Sequence, residues 1–175
     1  MDYACPVSKQ SFGDISCSIA RALDVVGQRW AALVLRDLFA GMARFEDIRR
    51  DLGIASNVLA ARLEELERHA IVARRQYQSA PTRFEYVLTD KGRDLYPVIV
   101  TLLAWGDKWA AGDDGPPALL LHDECGCVTT AKTVCSECGG ELEALSTTAV
   151  PGPGARVGPG TAVIGEFLIP GEPEA

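Results

Sequence analysis

Apolar residues recur at helical spacing early in the chain. Ile15, Ile19, Ala22, Leu23 and Val26 share one face at about 100° per residue, and Gly27 closes the run. A second period follows in RWAALVLRDLFAG (29–41), with Trp30, Leu33, Val34 and Leu38 facing inward and Gly41 as the stop. RFEDIRRDLG (44–53) predicts a short third helix that buries Phe45, Ile48 and Leu52. Gly53 supplies the turn. Ser56 stands as N-cap of a fourth helix that reaches about His69.

The period then changes. IVARRQYQ (71–78) and RFEYVLT (83–89) are β-branched or aromatic and tend to alternate, with SAPT between them as a turn, so they predict a β-hairpin. Thr89 or Asp90 caps a long helix over 90–111, and Pro97 within it predicts a kink. GDDGPPA is a linker. Residues 118–145 form a separate Cys-rich piece, residues 146–175 a Pro/Gly-rich tail, and AVIGEFLI within that tail an edge strand. Residues 1–13 read as a flexible arm.

Helices, a tight helix-turn-helix, a hairpin and a further helix predict an α+β fold, mainly α. It is a winged helix-turn-helix over residues 14–112, with a long C-terminal dimerisation helix and a small Cys-rich extension. The dimerisation reading rests on apolar excess: Leu95, Ile99, Leu102, Leu103 and Trp105 offer an interface with helix one of a second copy.

Charge at first opposes a nucleic-acid partner, because the 175 residues carry a net charge of -7. Its distribution removes the objection. Residues 1–110 hold 15 Lys+Arg against 14 Asp+Glu, and residues 111–175 hold 2 against 10. With Leu59, Leu63 and Leu66 inward, the fourth helix leaves Ser56, Asn57, Ala60 and Ala61 at the N-terminal end of its outer face. That is where a recognition helix meets base edges. Asn pairs with adenine, and Ala methyls touch thymine methyls. Glu64 is placed to pair with Arg68 at i,i+4. Arg74, Arg75 and Arg83 flank the hairpin; Arg44, Arg49, Arg50, Arg62 and Arg68 are further candidates for DNA contact. For each of them an ordinary solvated face is the alternative.

The motifs also carry a resemblance. Cys17 before helix one, Gly27 with Arg29–Trp30, Arg44–Phe45, Leu59 to Leu66, and Leu88–Thr89–Asp90–Lys91–Gly92 together resemble the HxlR family of bacterial transcriptional regulators, relatives of the MarR type, over residues 17–109. The family has Gly where this chain has Ala70, at a helix stop where a left-handed non-Gly residue costs about 1 kcal/mol. The resemblance implies a homodimeric, sequence-specific DNA-binding regulator, a repressor on a pseudo-palindromic operator. Some relatives sense oxidants or electrophiles through a cysteine matching Cys17, so a thiol switch is one expectation; Cys5 would be its resolving partner. A small-molecule effector among Trp30, Phe39, Tyr96, Trp105 and Trp109 is another.

Four of the six cysteines cluster in residues 125–138. His122-x-x-Cys125-Gly126 and Cys135-x-x-Cys138-Gly139 are each shaped like a zinc knuckle, and together would give one tetrahedral set for a structural Zn²⁺. Cys127 is then spare, unless Cys125 and Cys127 share the role. A disulfide such as Cys125–Cys138, or free thiols, is the alternative. No phosphate-binding glycine motif is present, and two histidines make a Ser-His-Asp arrangement improbable, so no enzyme is expected. The rival reading is a winged-helix association module without DNA binding. Lacking a secretory leader or a long apolar run, the chain reads as soluble and cytoplasmic, with no membrane partner.

Overall fold

The computed structural model describes residues 11–164. They divide into two compact units: residues 11–29 with 148–164, and Trp30–Thr147. The first holds α1 (Ser18–Val26), which starts later than the apolar period suggests: Ile15 lies in the preceding turn. Residues 11–13 are tied to this helix, since Ser11 Oγ and the Phe12 N–H both donate to the Asp24 carboxylate. Cys5 and most of the expected arm lie outside the described residues. So does the expected edge strand beyond residue 164, while residues 162–164 are turn and helix rather than strand.

The second unit is built on α2 (Ala31–Phe39), α3 (Phe45–Leu52) and α4 (Ser56–Arg68), which pack on one another. Val34, Leu35, Ile48, Leu59, Leu63, Leu66, Ile71 and Val72 are all but completely buried. Each such side chain contributes roughly 1.5–3 kcal/mol of burial, and together they fix the rotation of α4. The inward face of α2 differs from the expected one: Leu35 is buried and Leu33 exposed. Trp30 stands before the helix at φ 78, so the stripe starts from Ala31. Asp37 is also buried; Arg36 donates to its Oδ1 at 2.6 Å, while Oδ2 has no hydrogen-bond partner among the described residues. Burial pushes this carboxyl up, against the pull of Arg36.

Gly53, at φ +61, ends α3 and starts the three-residue turn into α4. The cap of α4 falls on Ala55, which has no side chain to offer; Ser56 is the first helical residue, not the N-cap. At its other end, the Ile71 N–H bonds to Leu66 O and the Ala70 N–H to Glu67 O, both at 2.9 Å, a Schellman closure. Ala70 takes the left-handed position of that closure, at φ 55.

The wing is an antiparallel pair, β1 (Val72–Ser79) and β2 (Thr82–Leu88), in register from Val72↔Leu88 to Ser79↔Thr82. A bulge between Gln76 and Gln78 leaves Tyr77 unpaired. The Tyr86 N–H bonds to Ala43 O at 2.7 Å, tying the wing to the entry of α3. Thr89 then caps α5 (Asp90–Arg93) by accepting from the Gly92 N–H, and donates to Ala70 O at 2.7 Å. A Cβ on Gly92 would stand 2.1 Å from Ile71 O, so only glycine lets this corner close.

The expected long helix is two helices. α5 stops, and α6 (Tyr96–Trp109) begins with Pro97 in its first turn. A missing N–H costs nothing there, whereas inside a continuous helix it would cost about 3 kcal/mol. α6 buries no residue completely. Val98, Leu102, Trp105 and Trp109 are 53%, 55%, 61% and 67% exposed, an apolar stripe at helical spacing. The extension pairs β3 (Leu120–His122) with β4 (Cys127–Thr129) and adds a Val134–Glu141 bridge, with no buried core residue of its own. Among the described residues, no helix is long and apolar enough to cross a membrane.

Candidate nucleic-acid interface and cysteine sites

The core orientation turns Ser56, Asn57, Ala60 and Ala61 outward, as the periodicity predicts. Glu64 and Arg68 follow further along the exposed face, but they are not partners. Arg68 instead binds Glu65, one residue later and nearly buried, at i,i+3, and its Nη2 lies 2.7 Å from His69 Nε2. An inward carboxylate that can still reach the helix edge holds Arg68 back along the helix.

Ion pairing sorts the remaining arginines. Arg49 binds Glu46 at 2.9 Å, Arg50 binds Asp47 at 2.7 Å, Arg74 binds Glu67 at 3.1 Å and Arg75 binds Glu85 at 2.6 Å. Arg44 and Arg83 form no ion pair among the described residues. Arg83 lies opposite Gln78 near the wing tip, and Arg44 stands 5.1 Å above the Tyr77 ring. Arg44, Tyr77, Arg83 and Phe84 line one groove between the entry of α3 and the wing. Tyr77 was not legible as a site residue. Its signal is the break in strand alternation at the bulge, which turns the ring toward Arg44. Arg62 is half-buried, with Nε and one Nη buried and without hydrogen-bond partners among the described residues.

Cys17 is the N-cap residue of α1, half-exposed, and makes no side-chain capping bond. It lines a cleft with Ser16, Arg21 and residues 150–156 of the same unit, where Ser16 Oγ donates to Gly154 O at 2.9 Å. Of Trp30, Phe39, Tyr96, Trp105 and Trp109, Phe39 and Tyr96 meet, ring centres 5.0 Å apart. They line a groove with Leu38, Tyr86, Arg75 and Arg93, and no tryptophan is part of that lining.

The extension repeats one turn twice. The Gly126 N–H bonds to His122 O at 2.8 Å and the Gly139 N–H to Cys135 O at 2.9 Å. Both glycines have positive φ, +66 and +72, so the chain reverses directly after Cys125 and directly after Cys138. His122 Nδ1 lies 3.3 Å from Cys125 Sγ. Backbone N–H groups of Cys138 and Glu137, together with the Cys138 thiol, hold the Cys135 thiol below the usual range. The four zinc candidates stand as two pairs: among the described residues, no three His, Cys, Asp or Glu side chains are grouped to hold a metal ion. The Cys127 thiol donates to Cys125 O at 3.5 Å.

Residues 25–114 match the family model described as HxlR-like helix-turn-helix. The chain is 43% identical, over 139 residues, to an uncharacterized HTH-type transcriptional regulator of Mycobacterium tuberculosis H37Rv, Rv3095; the match covers 79% of this chain and 88% of that protein. Among solved structures it is similar to PA1607, described as a transcription factor, with a TM-score of 0.73 and 36% identity over 80% of this chain and 98% of that one. It is also similar to the reduced form of the redox regulator HypR, with a TM-score of 0.50 and 33% identity over 53% of this chain and 92% of that one.

Proposed function

The chain belongs to the HxlR-like helix-turn-helix family and is an HTH-type transcriptional regulator, and from that premise we propose that it binds duplex DNA sequence-specifically, as a homodimer on a pseudo-palindromic operator, and represses transcription there. The observation that carries this is the pairing of two surfaces in one unit. The exposed start of α4 offers Asn57, Ala60 and Ala61 to base edges, and Arg44, over the Tyr77 ring, and Arg83 form no ion pair among the described residues and are offered to phosphates. Asn57 reads adenine through its amide, a pairing that discriminates by about 1–3 kcal/mol. The acid-paired arginines, Arg49, Arg50, Arg68, Arg74 and Arg75, are secondary contacts that must first leave their carboxylates.

One unit reads only one half-site. The apolar stripe on α6 and the exposed Ile19 and Leu23 of α1 support a dimer that covers both faces. A two-fold axis would set two recognition helices about 34 Å apart. An occupied promoter excludes polymerase, which makes repression the direct outcome. The similarity to HypR supports a thiol switch, and Cys17 at the start of α1 is its candidate here. Cys17 should react with a small disulfide faster than a free thiol does; equal rates would reject this role. An effector in the Phe39–Tyr96 groove is the other way to switch the same dimer.

Fluorescence anisotropy with duplexes from the gene's own upstream region tests the reading. Affinity should fall steeply between about 50 and 200 mM salt, and Arg83→Ala should lower the salt slope by about one. Equal binding of a scrambled duplex would leave only the association-module reading.

A further inference from the structure

We propose that Tyr77 is a positioning residue for DNA binding: its ring holds the Arg44 guanidinium ready for a backbone phosphate before the duplex arrives. This role rests on the reading of the chain as a DNA binder. The Arg44 guanidinium carbon stands 5.1 Å from the centre of the Tyr77 ring, within the range of a cation–π contact. The two residues come from different elements and meet in the groove between α3 and the wing, which Arg83 and Phe84 also line.

The backbone fixes both partners. Arg44 is the N-cap residue of α3. Its C=O accepts from the Asp47 and Ile48 N–H groups, each at 3.1 Å, and the neighbouring Ala43 C=O accepts from the Tyr86 N–H at 2.7 Å. Tyr77 stands unpaired in the bulge, between the pairs Gln76↔Phe84 and Gln78↔Arg83. The Gln76 side chain spans the bulge, its Nε2 donating to Gln78 O at 3.2 Å, and Gln78 Nε2 donates in turn to Ala80 O at 2.9 Å. A bulge re-aims a side chain out of strand alternation. Here the re-aimed side chain is the ring beside Arg44.

A ring and a carboxylate hold an arginine differently. A carboxylate occupies N–H donors, as it does for Arg49, Arg50, Arg74 and Arg75. A ring attracts the cation through its π-face and occupies none of the five donors. The two carboxylates that line the same groove are engaged with other arginines: Glu46 binds Arg49 at 2.9 Å and Asp47 binds Arg50 at 2.7 Å. An arginine that moves freely loses that freedom when it meets a phosphate. One already held over a ring loses less, so binding tightens with no added contact. Phosphates carry no sequence information, so the gain is the same on any duplex.

The test measures binding of the full chain to a duplex from the gene's own upstream region and to a scrambled duplex of equal length. Tyr77→Leu should weaken both complexes by about two- to tenfold, and Tyr77→Phe, which restores the ring, should rescue that loss. In an Arg44→Ala background Tyr77→Leu should cost nothing further. Both residues are exposed, so these variants should keep the wild-type unfolding midpoint. NMR of the DNA-free protein supplies a readout that needs no variant of Tyr77: the ring should shift the Arg44 side-chain protons upfield in the wild type. Unshifted Arg44 protons would overturn the role. So would an undiminished cost of Tyr77→Leu in the Arg44→Ala background, a Tyr77→Phe protein as weak as Tyr77→Leu, or a Tyr77→Leu protein that binds like wild type. Each of these leaves the DNA-binding reading standing, because the wild type still binds. A wild type that binds neither duplex would remove that reading and this role together.

Discussion

Ala70 and Asp37 show how single positions carry strain in this fold. Ala70 closes the Schellman turn from the left-handed region, so Ala70→Gly should stabilise the chain by roughly 1 kcal/mol, read as a higher urea midpoint at unchanged slope. Asp37 was not legible as a buried charge, because its burial follows from the shift of the α2 stripe to Leu35 and Leu38. Its folded pKa lies above the ordinary value. Just above about pH 4 the native chain therefore holds a proton that the unfolded chain has released. Stability from this group falls as pH rises through that window and is level above it. Urea midpoints of wild type and Asp37→Asn, compared across the acid range, should show this slope only in the wild type. The arginines were legible as a set but not as individuals. Spacing placed them near the wing; the carboxylates Glu46, Asp47, Glu65, Glu67 and Glu85 decide which stay uncommitted, and those arise from tertiary proximity.

The helices, the wing and their order were readable from periodicity, because the same Leu59, Leu63 and Leu66 spacing that marks an amphipathic helix also builds the core. Helix ends were less so. Ser56 is the better capping residue by chemistry, yet the turn set by Gly53 and Ile54 puts Ala55 at the cap. Ala55→Ser should therefore add about 1 kcal/mol by capping the free N–H groups of α4, checked by thermal or urea unfolding. Pro97 marked a discontinuity; the structure turns the expected kink into a break, since Leu95 and Tyr96 start a new helix around it. The α6 stripe also stays exposed in the single chain. Trp105→Glu places a charge in the proposed dimer face, and sedimentation should show the dimer replaced by monomer with the unfolding midpoint of the isolated chain little changed. A monomeric wild type would remove the basis for that interface.

The whole molecule joins a near-neutral winged helix to an acidic C-terminal third, and the placement of charge, not its sum, is compatible with DNA. Family membership fixes the class of regulator. The central claim is that α4 reads sequence while Arg44 and Arg83 hold the backbone. It is tested most directly by equilibrium binding of wild type and Asn57→Ala to the operator and to a scrambled duplex of equal length, each across a salt series. The account predicts that wild type prefers the operator by about 1,000-fold or more. Asn57→Ala should lose roughly 1–3 kcal/mol on the operator alone, with an unchanged salt slope. Equal losses on both duplexes, or no preference in the wild type, would contradict it.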